Sequence, residues 1–260
     1  MKYIFLKLPE IKKRIENSKH TALLLDFDGT ISPIVKRPEN AYITEKVRHT
    51  LQKINKIFPV IIVTGRPLSV IRRKVGVRGF IYAASHGLEW SFDGKFRRKL
   101  IPKTVKEQLN QIRNKIWNIK NKYQSLIIEK KPYSVTFHYH LMPTKQKESF
   151  IRWLKKFLRP FYRQPSIRVF HDKETVEIIP SLNWTKGDIA KLSLKYLSQK
   201  KQKKFMPIYV GDSTTDEDAF RMLSKGITIR VGKNENSAAK WYMRDQKEVG
   251  LFLKWLLSLK

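Results

Sequence analysis

The feature of this 260-residue sequence that most constrains its fold is a series of short, fully apolar runs separated by amphipathic segments of helical period. Strands buried on both faces of a parallel sheet are apolar throughout, and the connections between them are usually helices. We therefore predict an α/β fold built on a doubly wound parallel sheet. The predicted strands are residues 22–25, 60–63, 80–84, 207–210 and 227–231, and the predicted helices between them include 44–58 and 186–196.

The pattern of apolar and polar residues changes between residues 100 and 182. Here residues 134–141 alternate strictly between apolar and polar side chains. One polar face is typical of a one-sided antiparallel sheet. We predict a smaller α+β domain over residues 101–182, inserted into a larger domain made of residues 1–100 and 183–260.

Composition excludes several classes of protein. The chain has no cysteine, which excludes a disulfide framework, a thiolate metal site and a cysteine nucleophile. No apolar stretch approaches the ~20 residues of a membrane-spanning helix, and no small-residue cleavage site follows the first residues. We therefore expect a cytoplasmic protein without a membrane partner.

The chain is strongly basic, with 54 Lys and Arg residues against 22 Asp and Glu residues and a formal net charge of +32. A nucleic-acid-binding protein concentrates such charge on one domain or stripe. Here the excess follows chain length, and the run 199–204 reads as a surface loop. We favour a solvated basic surface, and a weak, salt-sensitive affinity for polyanions stays open as the alternative.

Carboxylates follow two of the predicted strands. Asp26 and Asp28 come directly after the first, and Asp212 and Asp216 follow the fourth. Ligands of open α/β sheets bind outside the carboxyl ends of the strands. Two carboxylates two residues apart can act as nucleophile and as general acid/base. The other two supply oxygen ligands of the kind that Mg²⁺ takes in proteins.

Two further residues suit a phosphoryl group. Thr64, at the end of the second strand, can donate a hydroxyl hydrogen bond to a phosphoryl oxygen. Lys186, at the start of a predicted helix, can neutralise negative charge during phosphoryl transfer. The sequence therefore predicts a magnesium-assisted phosphoryl-transfer site at one edge of the sheet.

Four segments in this order resemble the motifs of the haloacid-dehalogenase-like phosphatases, whose core is Rossmann-like: Asp26-Phe-Asp-Gly-Thr30, Thr64-Gly-Arg66, Lys186-Gly187 and Gly211-Asp212…Asp216. The resemblance implies that Asp26 becomes an aspartyl-phosphate. It implies that Asp28 protonates the leaving alcohol and then activates water, while Thr64 and Lys186 hold the phosphoryl group. The implied Mg²⁺ ligands are Asp26, the backbone carbonyl of Asp28 and Asp212, with Asp216 supporting them.

Further segments resemble the trehalose-6-phosphate phosphatases within that superfamily. They are Asp-Gly-Thr-x-Ser-Pro (28–33), Ser-His-Gly-x-Glu (85–89), Glu129-x-Lys131, Ser-Val-x-x-His-Tyr (134–139), Glu177-x-x-Pro, Asn183-Trp-x-Lys-Gly and Thr-Asp-Glu-Asp (215–218). The resemblance implies that the inserted domain is a cap that closes over the sugar and binds its hydroxyls. It also implies a separate trehalose-phosphate synthase that makes the substrate. The predicted substrate-binding residues are Gly65, Arg66, His86, Gly87, Glu129, Lys131, His140 and Glu177.

Three positions depart from that family's pattern. His140 and Ile179 stand where the family usually has arginines, and Ser213 stands where it usually has a second aspartate. The first two concern substrate recognition, so a phosphatase for sucrose 6-phosphate or mannosyl-3-phosphoglycerate is the alternative. A basic nucleic-acid-binding protein on a phosphatase fold is the alternative from another class.

Some of the predicted site residues also have plain structural interpretations. Glu129 and Lys131 can form an exposed cross-strand pair, and His86 can be a packed residue at a strand end. His138 and His140 share a strand face and can be read as a metal pair, although the sequence offers them no third ligand.

Overall fold

The computed structural model describes residues 1–116, 119–162, 166–172 and 174–259. The chain forms two compact units. The larger consists of Met1–Arg98 and Trp184–Lys260, and the smaller of Lys99–Asn183. No helix within the described residues is long and apolar enough to cross a membrane.

The described residues form thirteen strands and nine α-helices. The strands are β1 (Lys2–Tyr3), β2 (Thr21–Leu25), β3 (Val60–Val63), β4 (Ile81–Ala84), β5 (Glu89–Phe92), β6 (Lys95–Arg98), β7 (Ile127–Lys130), β8 (Val135–His138), β9 (Ile167–Asp172), β10 (Thr175–Pro180), β11 (Met206–Gly211), β12 (Ile227–Val231) and β13 (Trp241–Met243). The helices are α1 (Leu8–Asn17), α2 (Glu45–Asn55), α3 (Leu68–Val75), α4 (Lys103–Lys115), α5 (Ile119–Lys122), α6 (Thr144–Leu158), α7 (Lys186–Lys201), α8 (Glu217–Met222) and α9 (Gln246–Leu257).

A nine-stranded sheet, in the order β1-β13-β12-β11-β2-β3-β4-β5-β6, forms the centre of the larger unit. All neighbours from β1 through β4 pair in parallel, and β5 and β6 add an antiparallel hairpin at one edge. Every residue of β2, β3 and β12 is buried, as strands covered on both faces require. The buried residues include the polar side chains of Thr21, Thr228 and Arg230. The predicted α/β class is confirmed.

Helices cover both faces of this sheet. Alternate residues of β2 point to opposite sides because side chains alternate along a strand. Leu23 belongs to one hydrophobic cluster with Phe252 of α9. Leu24 belongs to a second cluster with Ile189 of α7. Each leucine that is fully buried in this way contributes about 1.5–3 kcal/mol.

The smaller unit is an α+β unit with a four-stranded antiparallel sheet in the order β7-β8-β10-β9. Its hydrophobic cluster joins one sheet face to α4 and α6, with Phe137 and Phe150 fully buried. The opposite face carries polar side chains of β7, β8 and β10. The sequence pattern also predicts a helix over residues 104–122, and residues 117 and 118 of this range lie outside the described residues.

Two local predictions are wrong. The strand predicted through residue 141 ends at His138, because the Met142 N–H donates to the Tyr139 carbonyl and the chain turns towards α6. Leu141 is consequently 39% exposed. The lysine-rich run predicted as a loop from residue 199 is helical as far as Lys201.

Candidate active site

The candidate site lies where three neighbouring strands of the large sheet end. Strands β3, β2 and β11 are adjacent and parallel, so their carboxyl ends meet at one edge. Asp26 follows β2, and its N–H donates to the Val210 carbonyl at 2.9 Å. Thr64 follows β3, and its N–H donates to the Ala83 carbonyl at 2.8 Å. The strand pairing thus brings together residues that are far apart in the sequence.

A buried cluster of Asp26, Lys186 and Asp216, here called the acid–lysine cluster, forms the centre of the site. Lys186 Nζ lies 3.1 Å from Asp26 Oδ1 and 2.9 Å from Asp216 Oδ1. The side chain of Asp216 is fully buried, and those of Asp26 and Lys186 are nearly so. The Tyr209 hydroxyl donates to Asp216 Oδ1 at 2.7 Å. Ser213 donates to Asp216 Oδ2 through both its N–H and its hydroxyl.

Burial and charge shift the pKa values of this cluster in different directions. Burial raises the pKa of Asp26 to about 7, although Lys186 opposes the shift. Burial alone would lower the pKa of Lys186, but the carboxylates of Asp216 and Asp26 hold it above its usual value. Burial likewise works against the charge on Asp216. There the Lys186 cation and the hydrogen bonds from Ser213 and Tyr209 prevail and hold its pKa below the usual value. Asp26 is therefore the carboxyl whose charge is least compensated.

The carboxylates of the site fit a hard divalent cation. Asp26, Asp212 and Asp216 each offer one oxygen within 4.8 Å of the others. Gly29 makes this arrangement possible, because its φ is +71° and a Cβ there would lie 2.0 Å from Asp212 Oδ2. Oxygen-only ligands of this kind are what Mg²⁺ and Ca²⁺ prefer. A cation at this place would also compensate the charge on Asp26.

Asp28 lies at the solvent side of the site and is held by Arg66. The Arg66 Nε donates to Asp28 Oδ2 and Nη2 donates to Asp28 Oδ1, both at 2.7 Å. The Arg66 side chain is 7% exposed, whereas that of Asp28 is 45% exposed. Arg66 Nη2 also donates to the Pro38 carbonyl at 2.8 Å. Arg66, which is predicted to bind substrate, thus forms an ion pair with Asp28, the predicted general acid.

Gly65, His86 and Gly87 lie beside Thr64. His86 has a φ of +55°, and its N–H donates to the Thr64 carbonyl at 3.0 Å. Its ring packs so closely on Gly65 that a Cβ there would lie 2.5 Å from the imidazole. The Gly87 carbonyl accepts a hydrogen bond from Trp184 Nε1 at 2.8 Å. These residues surround the Thr64 loop, and their predicted contact with substrate stays a prediction.

The smaller unit carries a second polar cluster on one face of its sheet. This polar sheet face consists of Glu129, Lys131, Thr136, His138 and Glu177. Lys131 Nζ lies 3.0 Å from Glu177 Oε1 and 3.4 Å from Glu129 Oε2. Thr136 donates to Glu177 Oε1 at 3.2 Å, and His138 Nε2 lies 3.4 Å from Glu129 Oε2. Glu129, Thr136 and Glu177 are cross-strand neighbours in register, so the sheet itself aligns them.

His140 lies just beyond this face, after the end of β8. The centroid of its ring lies 6.2 Å from that of His138. The turn that carries Lys131 is fixed by Arg113 of α4, which donates to the carbonyls of Lys131 and Pro132. Lys131 therefore forms direct ion pairs with Glu129 and Glu177, whereas His140 lies at the edge of the face.

Sequence reasoning did not assign four of the residues that complete these two clusters. Tyr209 and Ser213 hold Asp216, while Thr136 and His138 hold the glutamates of the polar sheet face. The alternation in residues 134–141 already placed Thr136 and His138 on the polar side. Tyr209 gave no signal, because it lies within a buried apolar strand.

The fold is that of the haloacid-dehalogenase-like hydrolases. The structure resembles a haloacid dehalogenase-like hydrolase from Bacteroides thetaiotaomicron, with a TM-score of 0.60, 16% identity, and coverage of 93% of this chain and 100% of that chain. It also resembles the C-terminal domain of the Candida albicans trehalose-6-phosphate phosphatase, with a TM-score of 0.82, 20% identity and 97% coverage of both chains. At 16% and 20% identity, these similarities show a shared fold and nothing more.

The sequence comparisons specify the family. The trehalose-phosphatase family model matches residues 24–247. The probable trehalose-phosphate phosphatase D of Arabidopsis thaliana is 31% identical over 257 residues, which cover 93% of this chain and 68% of that protein. The trehalose-phosphate phosphatase B of the same plant is 30% identical and covers 93% and 67%. The chain belongs to the trehalose-phosphatase family and is a phosphatase, and the resemblance inferred from its motifs is confirmed.

Proposed function

We propose that this protein hydrolyses trehalose 6-phosphate to trehalose and phosphate in a Mg²⁺-dependent reaction of trehalose biosynthesis. The observation that carries the proposal is the buried acid–lysine cluster, with Asp28 and Asp212 beside it, in a chain of the trehalose-phosphatase family. The relatives named above are described as trehalose-phosphate phosphatases.

In the first half of the reaction, Asp26 attacks the phosphorus of the ester. A bond forms between an Asp26 carboxylate oxygen and phosphorus, and the bond from phosphorus to the sugar oxygen breaks. The electron pair stays on that oxygen, which takes a proton from Asp28 and leaves as the free alcohol. This half leaves an aspartyl-phosphate at Asp26 and a carboxylate at Asp28.

In the second half, water attacks the phosphorus of the aspartyl-phosphate. Asp28 takes the proton of the water, the bond from Asp26 to phosphorus breaks, and inorganic phosphate forms. Both residues return to their starting states, so the cycle needs no other reactant. The partial exposure of Asp28 lets it exchange partners between alcohol and water.

Positive charge and hydrogen-bond donors hold the phosphoryl group. Lys186 supplies a buried cation at the reacting carboxylate, and we assign the Thr64 hydroxyl to a phosphoryl oxygen. Gly65, His86 and Gly87 form the surrounding loop. Asp26, the Asp28 carbonyl and Asp212 would hold Mg²⁺, with Asp216 supporting them. When bound, Mg²⁺ would stabilise the negative charge that develops on the phosphoryl oxygens.

We assign the smaller unit to sugar recognition, which is the role of a cap domain. Glu129, Lys131 and Glu177 present charged donors and acceptors on one rigid sheet face, which suits the hydroxyls of a disaccharide. His140 is placed with them as a further hydrogen-bonding group. The alternative, a phosphatase for sucrose 6-phosphate or mannosyl-3-phosphoglycerate, would use the same phosphoryl chemistry on a different sugar. A trehalose-phosphate synthase as partner, a cytoplasmic location and the absence of a nucleic-acid ligand stay predictions.

The test is phosphate release from trehalose 6-phosphate, sucrose 6-phosphate, mannosyl-3-phosphoglycerate and glucose 6-phosphate. Each is measured with Mg²⁺ and with EDTA, alongside the Asp26→Asn variant. We expect a clear preference for trehalose 6-phosphate that is lost with EDTA and in the variant. Preference for another ester would keep the chemistry and change the substrate, and full activity of Asp26→Asn would refute the mechanism.

A further inference from the structure

Arg66 makes several hydrogen bonds to the segment that follows β2. A residue that only binds the phosphoryl group would not need them. Two guanidinium nitrogens of Arg66 donate to both carboxylate oxygens of Asp28, each at 2.7 Å. Such a fork fixes the plane and the direction of a carboxylate, which a single hydrogen bond cannot do. The orientation of Asp28, and not merely its presence, is therefore set by Arg66.

The guanidinium makes two further contacts, and the Arg66 backbone makes a third. Its Nη2 also donates to the Pro38 carbonyl at 2.8 Å, and its Cζ lies 5.4 Å from the centre of the Phe27 ring. The Arg66 backbone N–H donates to the Thr64 hydroxyl oxygen at 3.2 Å. Because the Arg66 side chain is buried, these contacts operate with little competition from water. The Arg66 side chain is therefore held in one orientation, unlike an arginine that is exposed on the surface.

We propose that Arg66 is the positioning residue of Asp28, which it aims at the leaving-group oxygen and at the attacking water. The inference rests on the proposed function, in which Asp28 transfers both protons. It assigns to Arg66 a role that differs from direct binding of the phosphoryl group. General acid–base catalysis depends on hydrogen-bond reach, so a carboxylate that rotates freely loses much of its effect.

The chain provides a matched control at Lys74. Lys74 Nζ donates to the carbonyls of Glu39 and Ala41 at 2.6 and 2.7 Å, so it anchors the same segment that Arg66 anchors at Pro38. It has no hydrogen bond to Asp28 among the contacts of the described residues. The charge of Lys74 also acts on Asp28 and Arg66 from a distance. A change at Lys74 therefore removes a nearby cation and an anchor of the segment, while the Arg66–Asp28 hydrogen bonds remain.

The experiment compares two esters with different leaving groups, trehalose 6-phosphate and p-nitrophenyl phosphate, in the full-length protein with Mg²⁺. The sugar alkoxide needs a proton in order to leave, whereas the nitrophenolate does not. We expect Arg66→Gln to lower kcat/KM for trehalose 6-phosphate about 10²-fold, the scale of general acid catalysis. The kcat/KM for p-nitrophenyl phosphate should fall less than about threefold, because its first step needs no acid. Lys74→Met should change the ratio of the two values far less than Arg66→Gln does, because both hydrogen bonds to Asp28 remain.

A double variant separates positioning from direct sugar binding. If Arg66 acts through Asp28, adding Arg66→Gln to Asp28→Asn lowers kcat/KM for trehalose 6-phosphate no further. A further loss in that background would mean that Arg66 contacts the sugar, and it would overturn the inference. Both esters are measured on one preparation, so their ratio does not depend on how much of a variant has folded.

Two other outcomes overturn the inference in different ways. Equal losses for both esters, together with weaker inhibition by inorganic phosphate, would make Arg66 a phosphoryl-binding residue. Equal losses with unchanged inhibition would make it a structural residue. If instead Asp28→Asn shows no dependence on the leaving group, the proposed role of Asp28 is itself wrong, and that failure is distinct from the other two.

Discussion

The acid–lysine cluster of the larger unit and the polar sheet face of the smaller unit are both networks of carboxylates around one lysine. In the larger unit the side chain of Lys186 is 3% exposed and that of Asp216 is fully buried. In the smaller unit the side chains of Lys131, Glu177 and Glu129 are 12%, 15% and 26% exposed. The second network is therefore more exposed to water than the first.

This difference separates what each network can contribute. Removing one member of a buried charge network leaves the others uncompensated, so the fold and the chemistry depend on the same residues. Removing one member of a partly exposed network costs less, because water screens the remaining charge. A substitution in the network of the smaller unit should thus cost less stability than one in the network of the larger unit.

The largest expected effect is that of Lys186→Met. The substitution leaves two buried carboxylates without their cation, so we expect the free energy of unfolding to fall by about 3–5 kcal/mol. We expect phosphate release to fall roughly 10³-fold, the scale of losing one preorganised electrostatic contact. Urea unfolding and an activity assay measure the two effects.

The control is Lys191→Met, the same substitution at an exposed position of the same helix. It should change stability by less than about 0.5 kcal/mol. Equal stability of the two variants would show that the acid–lysine cluster is not a buried charge network of the kind described.

The next effect is that of Gly29→Ala. The new methyl group would lie 2.0 Å from Asp212 Oδ2, so the carboxylate must move away. We expect the Mg²⁺ concentration for half-maximal activity to rise about tenfold or more, since displaced supporting groups change metal affinity on that scale. A Mg²⁺ titration of activity measures it.

Gly94→Ala is the matched control for the strain of a positive φ. Gly94 has a φ of +77° and nothing within 4 Å of the position of its Cβ. Both variants should lose about 1–2 kcal/mol of stability from the left-handed backbone, but only Gly29→Ala should alter the Mg²⁺ requirement. If both variants needed the same Mg²⁺ concentration, the close approach of Gly29 to Asp212 would not matter for metal binding.

A smaller effect is expected of Glu177→Gln on the polar sheet face. The amide keeps the shape but loses the charge that faces Lys131. We expect KM for trehalose 6-phosphate to rise about tenfold, with kcat nearly unchanged, because one charge-assisted hydrogen bond is worth roughly 1.5 kcal/mol. Steady-state kinetics give both constants. A fall in kcat with unchanged KM would contradict the assignment of this face to binding.

The smallest effect is expected of Lys147→Met. Lys147 pairs with Glu174 in the same unit but away from the polar sheet face, and the Glu174 side chain is 45% exposed. We expect a stability change below about 1 kcal/mol and no change in KM. A rise in KM like that of Glu177→Gln would mean that the overall charge of the unit, rather than one face, recognises the substrate.

The parts of the fold that could be predicted are those whose pattern comes from burial. The bounds of β3 and β12 agree with the predicted strands 60–63 and 227–231, because both strands are covered on both faces. The hairpin β5–β6 was not predicted, since all four residues of β6 are exposed and carry no pattern. The two-residue strand β1 is too short for any periodic signal.

The candidate site divides in a similar way. Carboxylates that follow strands are visible in the sequence, because chain order and strand ends determine where they go. The link between Arg66 and Asp28 joins residues 38 positions apart and depends on how a side chain leaves the loop. No spacing rule gives such a contact, and the same holds for Tyr209, whose hydroxyl projects from a buried strand to Asp216.

The start of α7 has a consequence for motion. Lys186 is the first residue of this helix, and Thr185 and Asp188 form a capping box around it. The Thr185 N–H and hydroxyl both donate to Asp188 Oδ2 at 2.8 Å. Terminal turns are the part of a helix that frays first, and a capping box opposes fraying. Opening of this first turn would carry Lys186 away from its two carboxylates, so the capping box helps to keep them together. Hydrogen exchange at the Gly187 amide, which donates to the Thr185 hydroxyl, measures that opening.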